Sequence, residues 1–279
     1  MFENPSIDAV RLNTGAYNPF DELSTVQRLM AFADAHGKDL WIDLKARQLR
    51  VVRWADPDYR CIELNHNISC SLPAKVLLRG EDPLTLVFCE DNRIVVSPPP
   101  RHAVGCGQSV NILGEGLRIF EDFTPQDIRY LNACRALGHK KIMLSYVEST
   151  EDAKRVQTLL PGAELICKLE TSVGCAAAEE LSAAGYGLMA ARDDLFLEME
   201  GSPKILTALK RIAACDQRAV CASRVFSSLE RDNKVSLSDY EDLMLMANFG
   251  YRRFMLCDAI SGRYLDQALD AWKRFSDDL

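Results

Sequence analysis

Five times along the chain an amphipathic stretch of helical period ends near a glycine, and within three residues a short apolar run begins. Gly37 precedes Leu-Trp-Ile-Asp at 40–43, Gly138 precedes 141–145, and Gly162 precedes 164–168. Gly185 and Gly250 stand in the same relation to 187–191 and 253–257. A glycine just past a helix supplies the left-handed residue that ends it. Apolar runs that are continuous rather than alternating predict strands buried on both faces, as in a parallel sheet covered by helices. Strands are predicted at 8–13, 40–45, 141–147, 164–170, 187–193, 219–223 and 253–258, joined by helices. Asn18-Pro19, Thr124-Pro125 and Ser202-Pro203 each place a capping residue before a proline, which predicts three helix starts. The series reads as α/β, a (β/α) TIM-like barrel with seven recognisable strands and therefore incomplete.

Residues 51–119 break this rhythm. They hold short β-like runs, a hairpin turning at Asp91-Asn92, and a stiff Ser-Pro-Pro-Pro segment at 97–100. The expected organisation is a barrel made of 1–50 and 120–279, with a small inserted β domain at 51–119. A barrel one strand short exposes an edge, so the N-terminal residues, the inserted domain or a second subunit is expected to cover it.

The strand ends carry the candidate chemistry. In a parallel barrel the active site lies at the C-terminal strand ends, where residues two apart point the same way. Arg11 with Asn13, Asp43 with Lys45, and Lys168 with Glu170 are charged or polar pairs at that spacing, and 187–193 runs into Arg192-Asp193-Asp194. Glu170 and Asp194 offer only oxygen acceptors, which suits Mg²⁺ or Mn²⁺. Arg11, Lys45 and Lys168 are then free to face a substrate carboxylate or phosphate. Such a set can polarise a carbonyl beside a carboxylate and stabilise the enolate that forms.

Composition narrows the field. With 48% hydrophobic and 26% charged residues the chain is an ordinary globular one, and its net charge of −7 argues against general nucleic-acid or acidic-membrane binding. Ten cysteines without a CxxC pair read as small core residues in a reducing compartment. No signal peptide and no bilayer-length apolar run is visible, so the cytoplasm is expected. The four histidines are expected at the surface or near helix ends, Gly105-Cys106-Gly107 as a turn, and Leu243–Met246 as core packing. Arg252-Arg253 and Lys140-Lys141 precede strands and are expected as solvated charge on the face away from the site.

At the strand ends the chain resembles pyruvate kinase. Cys-Lys-Leu-Glu-Thr-Ser-Val-Gly (167–174) followed by Gly-Leu-Met-Ala-Ala-Arg-Asp-Asp-Leu-Phe-Leu-Glu (187–198) is similar to that family's metal-binding core. Val-Arg-Leu-Asn (10–13), Ile-Asp-Leu-Lys (42–45) and Val-Cys-Ala-Ser-Arg (220–224) resemble its other active-site strands in the same order, and 51–119 falls where its lid sits. The resemblance implies that Glu170 and Asp194 hold the divalent metal, while Lys168 stabilises the enolate or the transferred phosphoryl group. Arg11 and Arg50 would bind phosphate, Asn13 and Asp43 would belong to a K⁺ site, and Ser223 would lie near a pyruvate methyl group. Asp193 stands in place of a glycine beside the substrate carboxylate, and Gly15 in place of a serine cation ligand. The family's first barrel strand and C-terminal regulatory domain have no counterpart, and the lid is shortened.

Three functions follow from these readings. The first is a Mg²⁺-dependent, pyruvate-kinase-like phosphotransferase acting on phosphoenolpyruvate, pyruvate or a similar 2-oxo acid, with ADP or ATP as second substrate. The second is a metal-dependent C–C lyase or aldolase, since Glu170 with Asp194 also resembles the citrate-lyase-like aldolases. The third is a non-catalytic binding or regulatory relative. A homo-oligomer is expected in each case.

Overall fold

The computed structural model describes residues 1–277 except 17, 55–57, 79–82, 103 and 115. Seven strands form one parallel sheet: Ala9–Asn13, Asp39–Leu44, Lys141–Leu144, Glu164–Leu169, Gly187–Ala191, Val220–Ala222 and Arg253–Met255. They lie side by side in chain order, and each neighbouring pair is parallel. The sheet curls, and among the described residues no ladder joins its first strand to its last.

Three predicted strands are cut short by turns. The apolar run at 141–147 stops pairing at Leu144, because Tyr146 takes a left-handed φ of 52°. Arg192-Asp193-Asp194 is no strand tip but the opening of the helix Arg192–Glu198. The last strand ends at Met255, and Asp258 begins the helix Asp258–Arg263.

The outer face of the sheet packs on helices. Ile42, Leu44, Ile142, Leu144, Leu165, Cys167, Leu169 and Leu188 share one core with the helices. The helix Lys204–Cys215 shows why it docks there: Ile205, Leu209, Ile212 and Ala213 recur at helical spacing and are its buried residues. The inward face is built in two layers. Trp41, Met143, Ile166, Met189, Val220 and Ala222 form an apolar lower cluster. Above it the same alternation brings in Asp43, Lys45, Ser145, Lys168 and Glu170. Both faces are therefore buried, which is why the strands read as continuous rather than alternating.

Caps account for several helix boundaries. Thr124 and Asp127 form a reciprocal capping box on Pro125–Leu137, and left-handed Gly138 ends that helix, as predicted. Asn18-Pro19 does not start a helix; Asp21 caps Glu22–Ala35 instead, its carboxylate accepting from the Ser24 amide. The third start lies one residue late, at Lys204.

Between the second and third strands of the parallel sheet the chain builds a separate six-stranded antiparallel sheet with its own apolar core. The predicted hairpin is Leu84–Glu90 with Arg93–Ser97, turning at Asp91-Asn92. Two connections matter for the site. Arg50 and Ser109 form a bridge at the base of this sheet, and the strand Val110–Leu113 turns Asn111 towards the parallel sheet. His66, expected at the surface, is buried, and its Nε2 contacts the Ala46 carbonyl at 2.7 Å. Among the described residues no helix is long and apolar enough to cross a membrane.

Candidate active site

Asp43 organises the upper layer. It has no exposed surface, and its carboxylate meets Arg11 Nη1 at 3.0 Å, Lys45 Nζ at 3.0 Å and Lys168 Nζ at 3.3 Å. Burial alone would favour its neutral form, but the three cations outweigh that and hold Asp43 well below the usual carboxylate range. The same burial pulls Lys45 down to about 8 against the attraction of Asp43. Asp127 fixes the turn that presents Lys45, because its two carboxylate oxygens accept from the Lys45 and Ala46 amides.

The two residues expected at a potassium site are both engaged within the chain. Asn13 donates to Asp258 at 2.6 Å and accepts from the Gly15 amide, while Asp43 is already paired with three of the chain's own cations. Gly15 is consistent with this packing: a Cβ on it would come within 2.9 Å of Lys45 Cε and 3.2 Å of Arg50 Cζ. Arg11 is also spoken for, since it pairs with Asp258 as well as Asp43. Arg50 donates to Gln48 Oε1 and to the Gly107 carbonyl, which makes Gly105-Cys106-Gly107 the predicted turn and gives it an anchor.

Lys168 and Glu170 leave the same strand on the same side. Lys168 donates to Ser145 Oγ at 2.7 Å and lies 3.2 Å from Glu170 Oε1. Burial opposes its charge, yet Asp43 and Glu170 together raise its pKa above the usual lysine value. Glu170 is 1% exposed; its Oε2 accepts from the Tyr146 amide at 2.5 Å, while Oε1 has no hydrogen-bond partner. Lys168 is near enough to attract Oε1 but is not aligned to donate to it. Burial, with the field of Asp194 added to it and Lys168 opposing, pushes Glu170 up to about 7.

Asp194 sits in the first turn of Arg192–Glu198 and is raised too, first by burial and then by Asp193. Lys168, Arg50 and Asn111 act on it in the opposite direction. The lid-side sheet thus reaches the site through Arg50 and Asn111, and Asn111 also donates to the Tyr146 hydroxyl at 2.7 Å. Asp193 turns outward and pairs with Arg224 at 2.8 Å, so its charge leaves the cavity side. Ser223 has a left-handed φ of 66°, and its carbonyl accepts from buried Arg192, which pairs with Asp242.

Two carboxylates, Glu170 buried and Asp194 half-buried, both raised in pKa and one with an oxygen that lacks a hydrogen-bond partner, are a donor set that fits a hard divalent cation. Mg²⁺ takes one or two carboxylates and completes its shell with water or substrate oxygens. Among the described residues no cluster of three or more protein ligands occurs, so a cation here would depend on such outside oxygens.

Solved structures that resemble this architecture include pyruvate kinases. A pyruvate kinase from Pyrobaculum aerophilum superposes over 97% of this chain and 67% of its own, with a TM-score of 0.74 and 18% identity. The fold is pyruvate-kinase-like. A pyruvate kinase from Cryptosporidium parvum matches 90% of the chain and 61% of its own length at a TM-score of 0.69 and 18% identity. In sequence, a curated pyruvate kinase from Borreliella burgdorferi is 26% identical over 148 residues, which is 51% of this chain and 31% of that protein. No protein-family model matches. The pyruvate-kinase-like resemblance drawn from 167–174 and 187–198 therefore agrees with both comparisons.

Sequence reading missed four members of the site. Ser145 stands two residues beyond inward-facing Met143, so the alternation that marked Asp43 and Lys45 could have found it. Asp258 was a polar residue at a strand end, the same signal. Asn111 and the Tyr146 amide gave no signal, since both depend on how separate segments meet.

Proposed function

We propose that this chain is a Mg²⁺-dependent enzyme acting on phosphoenolpyruvate, pyruvate or a similar 2-oxo acid through an enolate. The observation that carries the reading is the pair Glu170 and Asp194, both raised in pKa and both within the field of Lys168, with one Glu170 oxygen lacking a hydrogen-bond partner. A divalent cation between them would polarise the keto oxygen of a bound 2-oxo acid and neutralise charge as it develops. The protein's own part is positioning. Ser145 and Asp43 hold the Lys168 ammonium in place, where it can donate to an enolate oxygen. The Tyr146 amide fixes the rotation of Glu170, and Asn111 and Arg50 bring the lid-side sheet down on Asp194.

Charge favours a dianion. With Glu170 and Asp194 ionised, as a bound cation would hold them, Arg11, Lys45, Arg50 and Lys168 balance Asp43, Glu170, Asp194 and Asp258. A divalent cation leaves two positive charges for the ligand to balance.

Exchange of pyruvate methyl protons with D₂O, followed by NMR, tests enolate formation without involving a nucleotide. Exchange should require Mg²⁺ and be lost in Glu170→Gln, Asp194→Asn and Lys168→Met. Absence of exchange, together with no Mn²⁺-dependent binding of oxalate by calorimetry, sinks the proposal. A second reading, C–C cleavage by a lyase, is supported by Arg11 and Lys45 being engaged with Asp43 and Asp258, which weakens the phosphate side and spares the enolate side. Pyruvate formed from phosphoenolpyruvate only with ADP favours phosphoryl transfer; pyruvate released from a 4-hydroxy-2-oxo acid without nucleotide favours the lyase.

A further inference from the structure

Below the charged layer a cavity of about 250 Å³ runs along the open seam between the first and last strands. Its walls combine the two edge strands, the apolar interior residues Trp41, Met143 and Ile166, and the face of the C-terminal helix Leu265–Ser276 that carries Leu269 and Trp272. Arg252 and Arg253 line the same cavity where the last strand begins. Both are exposed, and among the described residues their recorded partners are the backbone carbonyls of Ala247, Tyr251 and Arg218 rather than any carboxylate.

The volume decides what kind of occupant fits. A cavity of 150 Å³ holds benzene, so 250 Å³ takes on the order of ten heavy atoms. An eighth strand as long as Ala9–Asn13 would need about twenty for its backbone alone. The seam is also bridged above, where Arg11 and Asn13 of the first strand bind Asp258 beyond the last. The volume therefore suits a small molecule better than a strand.

We infer that the seam is a binding site for a small aromatic monocarboxylate, its ring among Phe254, Trp272 and the apolar interior and its carboxylate towards Arg252 and Arg253. The site is separate from Glu170 and Asp194 and does not depend on what reacts there.

The probe is 3-phenylpropanoate, with 3-phenylpropan-1-ol as its uncharged counterpart. In a Trp54→Phe background, the remaining tryptophans Trp41 and Trp272 both line the cavity and report binding by fluorescence. The acid should give a saturable change and bind roughly tenfold more tightly than the alcohol, as expected for a charge-assisted contact. The surface double variant R252Q/R253Q leaves the core untouched and should bring the acid down to the affinity of the alcohol. Val220→Phe, which fills the cavity, should abolish binding of both. No saturable binding of either probe overturns the inference, as does acid binding undiminished in R252Q/R253Q. Mn²⁺ binding at the upper site should be unchanged in R252Q/R253Q, so failure here is distinguishable from failure of the metal site.

Discussion

Asp43 and Glu170 lie two strands apart in the sheet and face opposite electrostatic fates. Asp43 is charged because three cations surround it, and replacing it by asparagine would leave those cations buried without their counterion. Asp43→Asn should cost about 3–5 kcal/mol in urea unfolding at neutral pH. Because the folded state depresses its pKa, this contribution is complete above the ordinary carboxylate range and is lost as acid protonates Asp43. Glu170 works the other way. Its folded pKa of about 7 lies above its usual 4.5, so between those values the native state holds a proton that the unfolded chain has released. Stability therefore falls as pH rises through that window and levels off above it. Glu170→Gln should stabilise the metal-free protein by roughly 2–3 kcal/mol at pH 8 and by almost nothing at pH 4, measured as thermal midpoints. A stabilisation independent of pH would contradict the assignment. The same titration makes cation affinity rise with pH until about 7.

The elements matter to the site through their junctions. The turn after Lys141–Leu144 offers the Tyr146 amide to Glu170, and the start of Ser172–Ala176 holds that turn in place. Gly174 is the point of closest approach: a Cβ there would fall 2.4 Å from the Val147 carbonyl oxygen, a backbone atom that cannot step aside. Gly174→Ala should therefore destabilise the fold by about 1–3 kcal/mol and weaken Mn²⁺ binding, while Gly37→Ala, remote from the site, leaves Mn²⁺ binding as it was. Calorimetry with Mn²⁺ separates the two. The helix Arg192–Glu198 shows the same dependence on junctions. Arg192 ties its first residue to the carbonyls of Ala222 and Ser223, and this places Asp194 inward and Asp193 outward.

Across the whole molecule the parallel sheet has two edges that no ladder joins among the described residues. Central strands have backbone partners on both sides, whereas Ala9–Asn13 and Arg253–Met255 each have a ladder on one side. Amides directed into the seam should exchange with deuterium sooner than those of Lys141–Leu144 or Glu164–Leu169, by a factor of about a hundred or more. Equal protection across all seven strands would mean that the seam is closed in solution by something the single chain lacks. The antiparallel sheet belongs to this scale too, since Arg50 and Asn111 approach Asp194 only when it folds down on the parallel one.

The strand order, the helices between the strands and the extra sheet were legible in the sequence because period, capping and chain order are local properties. Lys168, Glu170, Asp43 and Lys45 were legible as well, since alternation along a strand needs no partner to be read. The fate of their charges was not. That Asp43 meets three cations, Asp193 meets Arg224 and Arg11 meets Asp258 depends on residues distant in the chain. Electrostatic partners are chosen by distance in space, and burial sets how strongly they act. The sequence by itself determined which groups reach the strand ends; only the tertiary structure decided which were already paired and which were left to receive a ligand.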